Sequence, residues 1–331
     1  MAKEFDFVAI GDITTDAFIR LSGDDATVET KDGKMKRICL IFGDKIEYDD
    51  LVEVAAVGNS PNAAVSAKRL GLSSAIATNM GDDYHGETQL AQLKKEGVAT
   101  DFVRIHKGTE SNYHFVLWYG AERTILVKHH QYPYLLPDIG TPQWVYLSSL
   151  GEHSLPFHEA IAAYIKDHPS TKLTFQPGTF QIRLGYEALK NIYAVTELFF
   201  CNLEESQRIL KTEEKDIKKL LSRVRELGPR IVVITDGPNG AYTYDGEEVW
   251  YIPMYPDPKP PVNRTGAGDA FASTFTSLLA LGKSVPDALK LAPINSMSVV
   301  QFIGAQKGLL SLDELEAWFA KAPEGYAPTK L

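Results

Sequence analysis

The chain has 331 residues, of which 44% are hydrophobic and 23% are charged, and its formal net charge at pH 7 is -9. A chain of this length can bury a large core, and its negative charge without a Lys/Arg cluster argues against nucleic acids and membrane surfaces as partners. Its two cysteines, Cys39 and Cys201, match neither a metal-ligand spacing nor a disulfide framework. No apolar signal segment or bilayer-length apolar run is present, which predicts a cytoplasmic protein.

The first predicted element is a buried strand over residues 7–10, which ends at Gly11. Asp12 and Asp16 follow at its carboxyl end, the position where ligands bind in open α/β sheets. A carboxylate in this position can accept hydrogen bonds from two hydroxyl groups of a polyol. The alternative interpretation is that both acids lie in a loop and contact only solvent.

Two pairs of strand-like segments then interrupt the alternation of strands and helices. The first lies between about residues 26 and 57, with a turn at 31–34, and the second joins residues 112–119 to 123–128 through a turn at 120–122. The apolar run 37–42 is unsuited to a free surface, so we expect it to cover the main domain or to pair with another subunit. His129 and His130 are adjacent and project apart on a strand, which favours positions at the surface or at the end of the hairpin over a metal site.

A helix is predicted between these two pairs, from Gly58 to Gly71, with Asn59 or Ser60 as its N-cap and Pro61 in its first turn. The amides at its start suit the recognition of hydroxyl groups, although a well-capped structural helix explains the same residues. From residue 144 onward, apolar strands alternate with amphipathic helices. This pattern predicts a largely parallel sheet with helices on both faces.

Three short segments of the second half carry candidate functional residues. Asn202 to Glu205 follow a strand and enter a helix, an arrangement that is also a routine helix cap. Residues 235–240 contain two glycines that permit a tight turn near a phosphate, or simply a hairpin turn. Residues 262–272 form a Gly/Ala loop that opens an apolar helix, where free N–H groups and the helix dipole favour an anion.

Asp269 lies within this last loop, where its negative charge would oppose binding of an anion. The position becomes reasonable if the carboxylate accepts a proton from an attacking hydroxyl while the neighbouring N–H groups hold a phosphoryl group. The alternative interpretation is that Asp269 caps its helix.

The sequence Thr265-Gly266-Ala267-Gly268-Asp269-Ala270-Phe271 resembles the C-terminal signature of the ribokinase-like (PfkB) carbohydrate kinases. Four further segments resemble motifs of that family in the same order along the chain: residues 58–64, residues 75–86, Asn202 with Glu205, and residues 235–240. The turn at Gly304 and Ala305 resembles the one that lines the adenine pocket in the family.

The resemblance implies an α/β fold, with a three-layer α/β/α core, a mainly parallel central sheet and a small β-sheet lid. It also implies one kinase domain over residues 1–331, with lid segments at about 17–57 and 111–130. By the same resemblance, Asp269 is the catalytic base and Gly266, Ala267 and Gly268 form the anion hole.

The resemblance further implies the ligand contacts. The acceptor site comprises Asp16, which is favoured over Asp12, together with Thr14, Gly58, Asn59 and Asn62. ATP is bound by Thr235, Gly237, Gly240, Asn202, Gly304 and Ala305. Asn202 and Glu205 hold Mg²⁺ through water. Asn263 replaces the aspartate that helps bind a monovalent cation in the family, which leaves potassium activation undecided.

These inferences predict an ATP-dependent kinase that transfers the γ-phosphate to a primary hydroxyl of a small sugar of the ribose, fructose or keto-sugar class. A nucleoside kinase of the adenosine or cytidine type is the alternative with the same chemistry, because aromatic residues of the second hairpin are able to stack on a base. A non-catalytic sugar sensor is the alternative from another class. A homodimer through the β lid is a further expectation.

Overall fold

The computed structural model describes residues 4–21, 26–31, 35–120 and 122–331. Within these residues the strands are β1 (Phe7–Ile10), β2 (Thr14–Leu21), β3 (Ala26–Lys31), β4 (Met35–Leu40), β5 (Tyr48–Val57), β6 (Ser74–Gly81), β7 (Ala99–His106), β8 (Tyr113–Tyr119), β9 (Glu122–Leu126), β10 (Trp144–Leu147), β11 (Lys172–Phe175), β12 (Leu198–Asn202), β13 (Ile231–Thr235), β14 (Ala241–Tyr244), β15 (Val249–Ile252) and β16 (Thr329–Lys330).

The helices of the same residues are α1 (Asn59–Arg69), α2 (Tyr84–Lys95), α3 (Leu155–Asp167), α4 (Thr179–Leu184), α5 (Tyr186–Val195), α6 (Leu203–Leu210), α7 (Ile217–Arg225), α8 (Ala267–Ala280), α9 (Val285–Val299) and α10 (Leu312–Phe319), with a 3₁₀ turn at Gly237–Asn239. None of these helices is long and apolar enough to cross a membrane.

The central sheet of the described chain has the strand order β16-β15-β14-β13-β12-β11-β10-β1-β6-β7. Strands β1, β6, β7 and β10 to β13 are parallel, whereas β14, β15 and β16 add an antiparallel edge. The parallel strands other than the edge strand β7 are mostly buried because helices cover both faces of the sheet, and a separate hydrophobic cluster lies on each face. The α/β fold with a mainly parallel sheet, predicted from the alternating pattern, is confirmed.

A smaller sheet has the order β5-β2-β8-β9, in which β2 and β8 are parallel and the other two pairs are antiparallel. Strands β3 and β4 form a separate antiparallel pair. The small β-sheet predicted from the strand-like segments is therefore present. Residues 32–34 and Ala121, which belong to the two predicted turns, lie outside the described residues.

Helix α1 begins differently from the sequence prediction. Its N-cap is Gly58, with φ 120°, and no side chain caps the helix. The predicted caps make other contacts, because Asn59 Nδ2 donates to Asp269 and the Ser60 hydroxyl lies 2.6 Å from that of Ser148. A Cβ at residue 58 would lie 2.9 Å from the Asp12 carbonyl oxygen, so glycine permits both the backbone angle and the close approach to the end of β1.

Candidate active site

Polar residues from five neighbouring parallel strands meet at one edge of the central sheet. Asp12, Ser149, Gln176, Asn202 and Thr235 lie at or just beyond the carboxyl ends of β1, β10, β11, β12 and β13, and all of them line a cavity of about 600 Å³. We call this the larger cavity. The carboxyl edge of an open parallel sheet is the usual position of a ligand site. The fold thus brings together residues separated by more than two hundred positions in the chain.

Asp269 lies in the larger cavity, in the first turn of α8. Three side-chain amides donate hydrogen bonds to its carboxylate: Asn59 Nδ2 to Oδ1 at 2.7 Å, Asn62 Nδ2 to Oδ2 at 2.8 Å, and Gln176 Nε2 to Oδ1 at 3.2 Å. The N-cap of α8 is Gly266, and no side chain caps this helix. The alternative prediction that Asp269 caps its helix is therefore wrong.

The environment of Asp269 sets its protonation. Burial raises the pKa of the Asp269 carboxyl above its ordinary value, and the hydrogen bonds from Asn62, Asn59 and Gln176 oppose the rise because they favour the charged form. A carboxylate that is held in place and made more basic by burial is suited to accept a proton from a hydroxyl group.

The amides around Asp269 are themselves fixed by a buried second set of contacts. Gln306 Nε2 donates to Asn62 Oδ1 at 3.1 Å and to the Ala56 carbonyl at 2.7 Å, and the Tyr146 hydroxyl donates to Gln176 Oε1. Both amides therefore present their N–H groups to the carboxylate, since their oxygens are already occupied.

A second group of polar residues lies at the end of the larger cavity formed by β1 and β2. The Tyr134 hydroxyl contacts both oxygens of Asp12, at 2.9 and 2.8 Å, and burial raises the pKa of Asp12 to about 6. His129 Nδ1 lies 3.6 Å from Asp12 Oδ2, and burial together with neighbouring His114 lowers the pKa of His129 to about 4, so this imidazole is neutral at pH 7. His114 Nδ1 lies 3.4 Å from Asp16 Oδ1.

Several buried polar atoms in this group make no hydrogen bond within the described residues: Asp16 Oδ1, His114 Nε2 and His129 Nδ1. These atoms include both acceptors and donors, and their residues Asp16, His114 and His129 all line the larger cavity. Buried polar groups require partners. A ligand with several hydroxyl groups, each able to donate and accept, would satisfy them.

The remaining predicted acceptor residues also lie at the larger cavity. Thr14 and Gly58 line it, and the Thr14 hydroxyl contacts the Thr15 carbonyl at 3.2 Å. Ala305 lines the larger cavity rather than the smaller one described below. It packs so closely on Gly266 that a Cβ added to Gly266 would lie 2.3 Å from Ala305 Cβ. Gly304, with φ 84°, lies against Val54 of β5 and lines neither cavity.

A smaller cavity, of about 170 Å³, lies on the other side of Gly268. Thr235, Gly237 and Gly240 line it, and Gly237 and Gly240 have positive φ angles of 49° and 97°. Apolar side chains form most of its remaining wall: Met254, Phe271, Pro293, Met297 and Val300. Thr235, Arg264 and Gly268 border both cavities, so the two are neighbours across the loop that carries Asp269.

Asn202 and Glu205 form a reciprocal cap at the start of α6. Glu205 Oε2 accepts from the Asn202 backbone N–H at 2.9 Å, and Asn202 Oδ1 accepts from the Glu205 N–H at 2.8 Å. The routine helix cap, which is the alternative explanation of these two residues, is therefore present. Both residues nevertheless line the larger cavity, where burial raises the pKa of Glu205.

Some residues of the larger cavity were not predicted as site residues: Gln176, His114, His129, Phe180, Arg123, Arg183 and Arg264. His129 was predicted to lie at the surface or at the end of the hairpin. It follows β9 at the end of the hairpin, where its partly exposed ring packs between His114 and Phe180 at centroid distances of 5.4 and 5.3 Å. Gln176 had one recognisable signal, since it directly follows a predicted strand at the sheet edge where ligands bind.

The sequence places this chain in a known class of phosphotransferases. Residues 34–311 match the pfkB family carbohydrate kinase model. A ribokinase from Bacillus subtilis is 29% identical over 273 residues, covering 78% of this chain and 86% of that protein. A nucleoside kinase from Methanothermobacter thermautotrophicus is 23% identical over 99% of both chains.

The structure has the fold of a solved ribokinase. It superposes on Arabidopsis thaliana ribokinase complexed with ribose and ATP with a TM-score of 0.78 and 18% identity, covering 96% of this chain and 99% of the other. The chain belongs to the pfkB family of carbohydrate kinases, as the sequence motifs predicted. It is therefore an enzyme that transfers a phosphoryl group to an alcohol, within the group of ribokinase-like sugar and nucleoside kinases.

Proposed function

We propose that this enzyme transfers the γ-phosphate of ATP to a primary hydroxyl group of a small sugar, with Asp269 as the general base. The observation that carries the proposal is the position of Asp269. Its carboxylate faces the larger cavity, whose far end is lined by polar residues, and its helix begins beside the smaller, largely apolar cavity. The sugar occupies the first cavity, and the adenine base occupies the second.

The proposed acceptor contacts follow from the unpaired groups at the end formed by β1 and β2. Asp16 accepts hydrogen bonds from sugar hydroxyls, and His114 and His129 donate to or accept from others. Thr14, Gly58, Asn59 and Asn62 complete this site beside Asp269. The acceptor hydroxyl takes the place of an amide contact at Asp269, and its proton passes to the carboxylate as its oxygen attacks the phosphorus.

The proposed anion hole is the start of α8. The first N–H groups of a helix have no partner within that helix, and they point toward its entrance with the positive end of the dipole. Gly266, Ala267 and Gly268 supply this entrance, and Gly268 borders both cavities. These N–H groups stabilise the charge on the phosphoryl oxygens during transfer.

The residues present fit ATP and Mg²⁺. Gly237 and Gly240 have backbone angles that allow close approach to phosphates, and the apolar wall of the smaller cavity suits a base. Asn202 supplies an amide and the half-buried Glu205 a carboxylate, and Mg²⁺ uses few protein ligands because it keeps several waters. When bound, Mg²⁺ neutralises charge on the donor phosphates. The ATP contacts of Gly304 and Ala305 stay a proposal that rests on the family resemblance, since neither residue lines the smaller cavity.

A monovalent cation fits less well. Asn263 is fully buried, and its Oδ1 accepts the Thr265 N–H at 2.8 Å. It provides no negative charge, so we assign no step to such a cation. We also infer that residues 1–331 act as one kinase domain, with segments 17–57 and 111–130 as its lid.

A nucleoside is the second candidate acceptor. The observation that favours it is the aromatic wall of Phe180 and His129 beside the larger cavity, whose rings are able to stack on a base. The related nucleoside kinase spans 99% of this chain. The ribose hydroxyls of a sugar or of a nucleoside would both supply hydrogen bonds to the unpaired Asp16 and His114 groups.

The test measures ADP release from MgATP with ribose, fructose, 2-keto-3-deoxygluconate, adenosine and cytidine, each with and without potassium. Replacing Asp269 with Asn should lower turnover by several orders of magnitude and leave ATP binding intact, because the amide cannot accept the proton. Near-normal turnover of this variant would refute the role of the base. Turnover with only the two nucleosides would transfer the proposal to the second candidate, and binding without turnover would indicate a sensor.

We further propose that the small sheets mediate a homodimer. Apolar side chains are exposed on β3, β4 and β5 and just after β4: Val28, Leu40, Ile41, Phe42, Tyr48 and Leu51. A patch of this kind marks an interaction surface. Sedimentation should show that Phe42→Asp weakens the dimer, whereas Leu135→Asp, at an exposed position outside these sheets, leaves it intact. A monomeric unmodified protein would rule the dimer out.

A further inference from the structure

Glu122, the first residue of β9, is paired with two arginines at the mouth of the larger cavity. Its Oε1 lies 3.6 Å from Nε of Arg264, and its Oε2 lies 3.8 Å from Nη1 of Arg123. Arg123 belongs to the small sheet, whereas Arg264 belongs to the loop that precedes α8 and Asp269. One carboxylate therefore lies between guanidinium groups from two different parts of the fold.

The two arginines flank the place where a transferring phosphoryl group must pass. Arg264 borders both the larger and the smaller cavity, as Thr235 and Gly268 do. Arg123 lines the larger cavity with Asp269, and its charge lowers the pKa of that carboxyl against the effect of burial. Among the described residues that line the two cavities, the only other arginine is Arg183, and no lysine is present.

The carboxyl groups between the two cavities would repel a polyphosphate unless positively charged groups lie beside it. Asp269 and Glu205 line the larger cavity and Asp257 lines the smaller one, so a polyphosphate between the cavities meets three carboxyl groups. Anionic phosphoryl groups are bound most effectively by arginine, whose planar guanidinium donates two parallel hydrogen bonds. Backbone N–H groups alone provide no net positive charge.

The contacts to Glu122 are weak. Both distances exceed that of a hydrogen bond, and the Glu122, Arg264 and Arg123 side chains are 71%, 44% and 32% exposed. Ion pairs with this exposure contribute little to stability. A phosphoryl group with a greater charge and more acceptor oxygens therefore displaces the Glu122 carboxylate at low cost.

We propose that Arg123 and Arg264 contact the transferring phosphoryl group, and that Glu122 holds the two guanidinium groups together until that group arrives. The proposal rests on the proposed function. In the transfer step, the bond between the acceptor oxygen and phosphorus forms, the bond to the ADP oxygen breaks, and the hydroxyl proton passes to Asp269. The arginines transfer no proton. They neutralise the charge on the three phosphoryl oxygens that are neither attacking nor leaving.

The first test compares Arg123→Ala with Arg123→Lys. Loss of an arginine that contacts the transferring group lowers kcat by about a hundredfold or more, and we expect the KM for the acceptor to change much less. Lysine should restore part of the rate, and so should added guanidinium ion. Arg20→Ala is the matched control, because Arg20 lies on β2 over the Trp118 ring and lines neither cavity. A kcat of Arg123→Ala close to that of the control, or a defect confined to KM, would overturn the proposal.

The second test uses Glu122→Gln, which removes the competing carboxylate. We expect a lower KM for MgATP, because the arginines no longer exchange one anion for another. A large loss of kcat in this variant would overturn the holding role of Glu122 and would indicate that the carboxylate itself is required.

A third measurement separates this proposal from the proposed function. Calorimetry of MgADP with aluminium fluoride, a mimic of the transferring group, requires no acceptor to be identified. Arg123→Ala should weaken binding of the fluoride complex by at least about tenfold while leaving MgADP binding unchanged. Equal binding by both proteins would reject the arginine contact even for an enzyme that is active on the acceptor panel. Inactivity on that panel together with weakened binding would reject only the acceptor assignment.

Discussion

Replacing Asn62 with Leu should move the acid limb of the pH–rate profile to higher pH. Asn62 donates to Asp269 at 2.8 Å and opposes the effect of burial, which raises the pKa of that carboxyl. A hydrogen bond to a charged group contributes about 1.5–3 kcal/mol, and about 1.4 kcal/mol corresponds to one pH unit. Because the base works only when ionised, the midpoint of the acid limb should rise by about one to two pH units. Gln306 keeps its 2.7 Å contact to the Ala56 carbonyl, whereas its second Nε2 hydrogen loses the Asn62 oxygen, so the variant should also lose stability.

The measurement is kcat/KM as a function of pH, which reports ionisations of the free enzyme. The position of the limb is compared rather than its height, since Asn62 is also a proposed acceptor contact. Asn191→Leu is the control, because Asn191 makes a similar amide-to-carboxylate bond, to Glu159 at 2.7 Å, far from the cavity. An unchanged limb in Asn62→Leu would refute the view that these amides set the basicity of Asp269.

Three further predictions concern single positions. Burial raises the pKa of Asp12 to about 6, so the folded protein keeps a proton on this carboxyl that the unfolded chain loses near pH 4. The free energy of unfolding should therefore fall by up to about 3 kcal/mol from pH 4 to 7. Denaturant titrations should show that Asp12→Asn lacks this fall; parallel curves would contradict the assignment. Glu205→Gln keeps a capping residue but removes the charge, and it should raise the Mg²⁺ concentration that gives half the maximal rate about tenfold or more. Glu314→Gln makes the same change in the capping box of α10 and should leave this concentration unchanged. Gly266→Ala should abolish turnover and should cost more stability than Gly282→Ala, for which about 1–2 kcal/mol is expected. Both glycines have φ near 80°, but only at residue 266 would a Cβ lie within 2.3 Å of a neighbouring atom. Equal losses of the two variants in thermal and activity assays would contradict this.

The fold was predictable because its signals are local. Buried strands such as Ile231–Thr235 are continuous apolar runs, and the helices between them show one apolar face. The start of α1 was predicted less well, since Asn59 and Ser60 have the chemistry of helix caps but form contacts elsewhere in the fold. Tertiary contacts in this segment override the local preference of the side chains.

The candidate site was predictable only where a motif identified it. Asp269 and the glycines near it lie in one recognisable stretch, whereas Gln176 is marked only by its position after a strand and His129 has no local feature that distinguishes it from structural residues. Their positions depend on which strands are neighbours in the sheet and on how the small sheet lies over the larger cavity. Such information is carried by contacts between distant parts of the chain, which periodicity does not report.

Two of the three amides that donate hydrogen bonds to Asp269, those of Asn59 and Asn62, lie 210 and 207 positions earlier in the chain. During synthesis, the acceptor end of the cavity is made first, but its base emerges only when most of the chain has been translated. Chains released early therefore contain much of an acceptor site without the group that reacts with it. Incomplete translation products of this protein should be inert as kinases, so the enzyme gains activity only after the long-range contacts between its two ends have formed.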